Sequence, residues 1–73
     1  IGPASAPAVR GLMRLLQDDR GSVRHSAVEA LGVIGPAAQE AIGPIKALAE
    51  KDKYAMVRDA AAKALSLISS AST

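Results

Sequence analysis

His25 and Glu29 are the side chains in this sequence best placed for acid–base chemistry. They lie four residues apart, so on a helix they would share one face, one turn apart. A catalytic or metal-binding role for His25 would also need a serine, a cysteine or a second histidine at a suitable spacing, and none is present. We therefore interpret the two residues as a surface pair and expect that the chain is not an enzyme and has no catalytic residue.

The motifs that hold cofactors and metals are also missing from the sequence. Gly32, Gly35 and Gly43 are followed by neither the G-x-G-x-x-G nor the Walker pattern, so no phosphate-binding loop is predicted. Cysteine is absent, which excludes thiol chemistry, disulfides and cysteine-based metal sites. We expect no cofactor and no metal.

The composition indicates a single small helical domain. The chain has 73 residues, of which 49% are hydrophobic, and Tyr54 is its one aromatic residue, so the core must consist of Ala, Leu, Ile and Val. Nine basic against seven acidic side chains give a weak formal charge of +2. Its apolar runs are far shorter than a membrane span. We expect a soluble protein with no membrane partner, and the cytoplasm is the favoured compartment.

The sequence repeats itself at an offset of 33 to 34 residues. Residues 1–16 overlay residues 34–49, and SVRHSAVEALGVI from Ser22 overlays MVRDAAAKALSLI from Met56. The extra residue falls in the polar stretch before Met56, where a loop would accommodate it. We predict an all-α fold of about four helices in two helix-pair repeats, with repeat one at 1–33, repeat two at 34–68 and a frayed tail at 69–73.

Each repeat is expected to contain two amphipathic helices. Apolar residues at spacings of three and four define the buried face of the first helix of each repeat: Val9, Leu12, Met13 and Leu16, then Ile42, Ile45, Leu48 and Ala49. The second helices should bury Val23, Ala27, Ala30, Leu31 and Ile34, then Val57, Ala61, Ala64, Leu65 and Ile68. Arg24, Val28 and Gly32 flank the first of these faces, where a neighbouring repeat could approach closely.

Local signals predict where these helices begin and end. Ser22 is the expected N-cap of the first repeat's second helix, and Gly35 with Pro36 should stop that helix. Gly43 and Pro44 favour a kink or a broken first turn in the next helix, with a start near Pro44 as the alternative.

The sequence resembles HEAT repeats, especially the short form called PBS-lyase HEAT-like. The segments LLQDDRGSVRHSAVEALGVIGP and LAEKDKYAMVRDAAAKALSLI share an apolar helix end, an acidic loop and V-R-x-x-A-x-x-A-L, and the resemblance covers nearly the whole chain. Ser66, Ser69 and Ser70 depart from the pattern by replacing Gly32, Gly35 and Pro36 of the first copy. The resemblance implies an α–α superhelix, that is, a solenoid. Ile1 corresponds to the apolar position of Ile34, which suggests a piece cut from a longer array.

The resemblance also implies a ladder of ion pairs between the loop Asp of one repeat and the Arg of another. Carried over, Asp18 or Asp19 would meet Arg58, and we favour Asp19. Arg24 and Asp52 would then face repeats that this chain lacks. Solvated surface charges of little energetic weight are the alternative.

In such solenoids the second helices line a concave surface that binds partners. Positions beside and opposite the core stripe place ten residues there: Ser22, His25, Ser26, Glu29, Val33, Met56, Asp59, Ala60, Lys63 and Leu67. The leading hypothesis is a scaffold that binds a protein or peptide on this face.

Two alternatives remain open. A structural spacer or self-assembly module is the first, because two repeats leave apolar end faces uncovered, and self-association is therefore expected. Nucleic-acid binding is the less favoured second alternative. Arg10 and Arg14 form only a small basic edge, and the charges of the concave face nearly balance.

Overall fold

The computed structural model describes residues 2–69, with side chains from Pro7 onward. It contains four α-helices, α1 (Gly2–Leu15), α2 (Gly21–Ile34), α3 (Ile42–Lys51) and α4 (Ala55–Ser69), with a 3-10 helix (Gly35–Ala41) between α2 and α3. No β-strand occurs within residues 2–69, and the predicted all-α class is confirmed. In the same residues, no helix has both the length and the apolar character needed to cross a bilayer.

The core lies where the apolar faces of the helices meet. α4 packs most extensively against α2 and α3, and α1 packs against α2 and the 3-10 helix. These contacts remove the apolar stripes of the helices from water. That burial of apolar surface is the main contribution that holds the helices together. The buried apolar residues are Val9, Leu16, Ala27, Val28, Leu31, Ala38, Ala41, Ile45, Val57, Ala61, Ala64 and Ile68. Among them, only Ala38 and Ala41 fall outside the faces and flank predicted from the sequence.

The prediction that Ser22 caps α2 is wrong. The N-cap residue is Arg20, with extended dihedral angles (φ −87°, ψ 124°), and no side chain caps the helix. Asp18 shapes the turn instead, because its Oδ1 accepts a hydrogen bond from the Arg20 N–H at 2.8 Å. An Asp that accepts from the backbone two residues ahead fixes a turn without a conventional cap. Ser22 is therefore an exposed residue within α2.

Gly35 ends α2, as predicted. Its dihedral angles (φ 75°, ψ −141°) lie in a region that favours glycine, and its N–H donates to the Leu31 carbonyl. The 3-10 helix follows directly, with Pro36 near its start, where a missing N–H costs no hydrogen bond.

The kink predicted at Gly43 and Pro44 is wrong, and the alternative of a helix start near Pro44 is closer. α3 begins at Ile42, so both residues lie in its first turn. The irregular backbone lies upstream at Ala38 (φ −95°, ψ 21°), inside the 3-10 segment. Proline is compatible with a first helical turn because a backbone N–H at that position would have no intrahelical acceptor, so its absence costs no hydrogen bond.

The loop predicted around the extra residue is present, since α3 ends at Lys51 and α4 begins at Ala55. The predicted frayed tail begins at Ser69, and its fraying stays a prediction. Ser69 is the last residue of α4, and its hydroxyl donates to the Leu65 carbonyl at 2.7 Å. Ile1 and the rest of the predicted tail, residues 70–73, lie outside the described residues, as does Ser70 of the pattern departures.

Candidate functional site

A groove of about 500 Å³ runs between α2 and α4. Eight of the ten residues predicted for the concave face line it: His25, Glu29, Val33, Met56, Asp59, Ala60, Lys63 and Leu67. The other two, Ser22 and Ser26, are exposed on α2 but do not line the groove. Gly32 and Ala64 complete the lining. The sequence pattern had placed Gly32 on the flank of the first buried face and Ala64 within the second buried face.

Small residues form the floor of the groove because α2 and α4 approach closely there. A Cβ atom added to Gly32 would lie 3.3 Å from the Ala64 Cβ and 3.3 Å from the Leu67 Cδ1. Such contacts are tighter than ordinary van der Waals packing, so a methyl group at Gly32 would require Ala64 and Leu67 to shift by a few tenths of an ångström. Glycine at this position therefore permits the observed close approach of the two walls.

Large apolar side chains lie on the walls near the ends of the groove. Val33 is 85% exposed, Met56 50% and Leu67 47%. Val33 and Leu67 occupy the same position in the two copies of the repeat, and Met56 lies three turns before Leu67 on α4. Apolar surface is thus available to a ligand at both ends.

Charged residues occupy the middle of the groove. The Nε2 atom of His25 lies 3.7 Å from the Glu29 Oε2, so the predicted pair is present. Among the described residues, neither Asp59 nor Lys63 forms an ion pair. Apart from His25, the charged groups that line the groove are two carboxylates and one ammonium group.

The two repeats are joined beside this groove by a buried ion pair that runs in the opposite direction to the predicted one. Arg24 Nε donates to Asp52 Oδ1 at 2.6 Å, and Arg24 Nη2 donates to Asp52 Oδ2 at 3.2 Å. Their side chains are only 11% and 3% exposed. The prediction that these two residues face absent repeats is wrong, because the second loop points its carboxylate back towards α2.

The predicted Asp19–Arg58 pair is not formed. Asp19 is exposed, and Arg58 Nη1 donates to the backbone carbonyl of Asp52 at 2.7 Å. Asp18, the other candidate, pairs with its neighbour Arg20 at 3.1 Å. The loop acid therefore contacts the Arg of the preceding repeat, whereas the prediction assigned it the Arg of the following one.

The same arrangement of Asp and Arg occurs twice, 34 residues apart. Arg24 Nη1 donates to the Asp18 carbonyl at 2.7 Å, as Arg58 does to the Asp52 carbonyl. Asp52 also accepts from the Tyr54 N–H at 2.9 Å, as Asp18 does from the Arg20 N–H. The matching hydrogen bonds make Asp18 and Asp52 equivalent residues.

Hydrogen bonds from the arginines shift the pKa of both carboxyl groups. The bonds from Arg24 hold the pKa of Asp52 below its ordinary value of 3.8, although burial acts in the opposite direction. The bonds from Arg20 lower the pKa of Asp18 in the same way. Asp52 in turn raises the pKa of Arg24, so both members of the buried pair are charged at neutral pH.

Tyr54 packs across the boundary between the repeats. A Cβ atom on Gly21 would lie 2.5 Å from the Cδ2 and 2.7 Å from the Cε2 of the Tyr54 ring, so the ring rests directly on the Gly21 backbone. Arg24 and Lys53 lie 5.8 and 5.5 Å from the ring centroid, within cation–π range. From the sequence, Tyr54 was only one residue of the polar stretch before Met56. The signal that could have identified its packing role is that it is the sole aromatic residue of the chain.

The basic edge considered for nucleic-acid binding is partly neutralised. Arg10 Nε lies 3.7 Å from Glu40 Oε2, and both side chains are exposed. Arg14 is exposed on the same helix, α1. The basic surface on α1 is therefore small, and one of its two arginines, Arg10, is already paired with a carboxylate.

Comparison with known proteins agrees with the two-repeat arrangement. The family model for HEAT repeats matches residues 3–72, which is nearly the whole chain. Searches of curated proteins and of solved structures find no match. The family match and the doubled Asp–Arg motif lead to one conclusion: the chain belongs to the HEAT repeat family.

Proposed function

We propose that this chain is a protein-interaction scaffold, without catalytic activity, that binds a partner protein in the groove between α2 and α4. The observation that supports this proposal is the lining of the groove, where Val33, Met56 and Leu67 expose apolar side chains beside Asp59 and Lys63, which form no ion pair with the described residues. HEAT repeats commonly mediate protein–protein interaction, which supports the same function.

In this proposal the two helix pairs are consecutive units of an α–α superhelix, with α2 and α4 on its concave side. The equivalence of the two Asp–Arg motifs supports this arrangement, because equal local hydrogen bonds orient both second helices alike. A stack of such units presents a continuous surface to a partner.

Apolar contact would supply much of the binding free energy. Covering an exposed aliphatic side chain contributes roughly 1 kcal/mol or more, at about 25 cal/mol per Å² of apolar surface removed from water. The charged groups between the apolar ends would then select among partners. A protein fits this combination better than a nucleic acid, because the groove has only Lys63 to meet phosphates.

Selection of peptides from a displayed random library tests this function. Selected peptides should lose affinity about tenfold or more for the variant Leu67→Gln, which removes an apolar contact from the groove wall. Leu15→Gln is the matched control, since Leu15 is a similarly exposed leucine, 42% accessible, that does not line the groove. Equal affinity for both variants would show that binding occurs elsewhere.

One observation favours a second candidate, a structural spacer or self-assembly module. Arg58 is anchored to a backbone carbonyl just as Arg24 is, but among the described residues no carboxylate meets its Nε and Nη2 atoms. At the other end, Asp18 is paired only with the exposed neighbour Arg20. A further repeat, or a second copy stacked end to end, would join these groups into another ion pair.

Analytical ultracentrifugation distinguishes this candidate. Self-association through the ends should weaken in Arg58→Gln and stay unchanged in Arg14→Gln, which alters an exposed arginine on α1. A chain that remains monomeric at all concentrations would count against end-to-end assembly.

A further inference from the structure

We propose that the groove binds a basic amphipathic helix about three turns long, with an apolar side chain near each end and Arg or Lys between them. This inference rests on the proposed scaffold function and specifies the chemistry of the partner. It follows from three properties of the groove: its length, the order of its side chains and its charge.

The length comes from the positions of the apolar side chains. Met56 and Leu67 are eleven residues apart on α4, which corresponds to about 16 Å at about 1.5 Å per residue. Val33 adds to the apolar surface at the Leu67 end. In a partner helix, residues eleven positions apart also share one face after about three turns. Two apolar residues at that spacing would reach both ends of the groove.

The middle of the groove selects for positive charge. Glu29 and Asp59 outnumber Lys63, so the groove has one net negative charge on a chain whose formal net charge is +2. Asp59 makes no ion pair with the described residues, and Glu29 contacts only His25 on its own helix. A central Arg on a partner would therefore find an available carboxylate. A central Glu would be repelled by two carboxylates and attracted by one ammonium group.

The floor leaves space for a long side chain. Ala60 projects only a methyl group beside the charged side chains, and Gly32 and Ala64 project no more than that towards the Leu67 end of the groove. The aliphatic part of an Arg or Lys can lie along such a surface while its charged end meets the rim. A bulky apolar residue at the centre would bury the rim charges without pairing them.

Two synthetic alanine-rich helical peptides of fourteen residues test the inference. Both have leucine at the second and thirteenth positions, and they differ only in having arginine or glutamate at the sixth and ninth. Titration into the ¹⁵N-labelled chain should shift the amide resonances of the groove residues, and the arginine peptide should bind about fivefold or more tightly. High salt should reduce that preference, because exposed charges are screened.

The double variant Glu29→Gln/Asp59→Asn should lose the preference for arginine. Asp19→Asn/Glu50→Gln is the matched control, since it removes the same charge from two exposed residues outside the groove. If both double variants lost the preference for the arginine peptide equally, the preference would depend only on the net charge of the chain. That result would overturn the inference.

Other outcomes also decide the question. Equal binding of both peptides in the groove would overturn the basic-helix inference and leave the scaffold function standing. Resonance shifts confined to other surfaces would overturn the inference too, and the library selection with Leu67→Gln would then judge the scaffold function separately. Concentration-dependent shifts of groove resonances without peptide would identify a second copy of the chain as the occupant, which would likewise overturn it.

Discussion

Arg24 and Asp52 join the two repeats through a bidentate ion pair that is almost completely removed from solvent. Each partner has a further hydrogen bond, since Arg24 donates to the Asp18 carbonyl and Asp52 accepts from the Tyr54 N–H. A buried ion pair is favourable only when such additional bonds offset the cost of removing both charges from water. The pair therefore depends on the two loops that supply those bonds.

Replacing Asp52 should destabilise the fold strongly. Asp52→Ala leaves the buried Arg24 guanidinium without its counter-ion, and the expected loss is about 3 kcal/mol of the free energy of unfolding in urea titrations. Asp19→Ala removes an exposed aspartate from the other loop, and it should change the free energy of unfolding by about 0.5 kcal/mol or less. The double variant Arg24→Met/Asp52→Leu should recover part of the loss. A small effect of Asp52→Ala, similar to that of Asp19→Ala, would contradict the role of the pair.

Stability should fall in acid because of Asp52. Its pKa is lowered in the folded state, so the folded chain binds fewer protons than the unfolded chain when the pH falls towards that value. The contribution is complete above the unfolded pKa, near 3.8, and is lost as the pH falls through the folded pKa. Asp52→Asn should therefore flatten the pH dependence of the unfolding free energy below about pH 5. An unchanged slope in that variant would assign the acid sensitivity to other carboxyl groups.

Gly21 and Tyr54 should depend on each other. Gly21→Ala improves helix propensity in α2, but its Cβ would overlap the Tyr54 ring and displace it from Arg24. We expect Gly21→Ala to destabilise the natural chain and to stabilise it by about 0.5 kcal/mol or more in a Tyr54→Ala background. Tyr54 is the only aromatic residue, so its fluorescence quenching by iodide reports the displacement directly. Additive effects of the two substitutions would show that the ring does not pack on Gly21.

Gly32 should resist substitution where Gly11 does not. Gly11→Ala adds a methyl group on an exposed part of α1 where, apart from the adjacent backbone of its own helix, no described atom lies within 4 Å, and it should stabilise the fold by about 0.5 kcal/mol. Gly32→Ala gains the same propensity but presses against Ala64 and Leu67, so we expect a net loss of about 1 kcal/mol. Thermal or urea unfolding of the two variants measures the difference. Equal effects would mean that α2 and α4 can separate freely.

The sequence predicts the helices well because each second helix has an uninterrupted apolar stripe, and α2 also has a clear glycine stop at Gly35. It predicts the groove residues for the same reason, since positions away from a buried stripe must face outwards. The 3-10 helix escapes prediction because Ala38 and Ala41 are compatible with any helical geometry. Its tight backbone follows from packing on the core and not from local preference.

The direction of the ion-pair ladder also could not be deduced from residue types. Asp18 and Asp19 are adjacent and chemically identical, so composition alone does not distinguish them. Only the hydrogen bonds show that Asp18 corresponds to Asp52, because both accept from the backbone two residues ahead. Which Arg each acid meets depends on the turn of the loop, a property that appears once the helices are packed.

In each repeat, a backbone carbonyl holds one arginine side chain, Arg24 or Arg58, in position to bind a carboxylate. Because a carbonyl within the same repeat aligns the guanidinium, the neighbour has only to contribute a carboxylate on its loop. A duplicated unit inserted between the two repeats would supply one anchored arginine and one loop carboxylate. It would therefore extend the array without any new kind of side-chain contact. The number of repeats could therefore change by whole units while each junction keeps the same Arg–Asp contact.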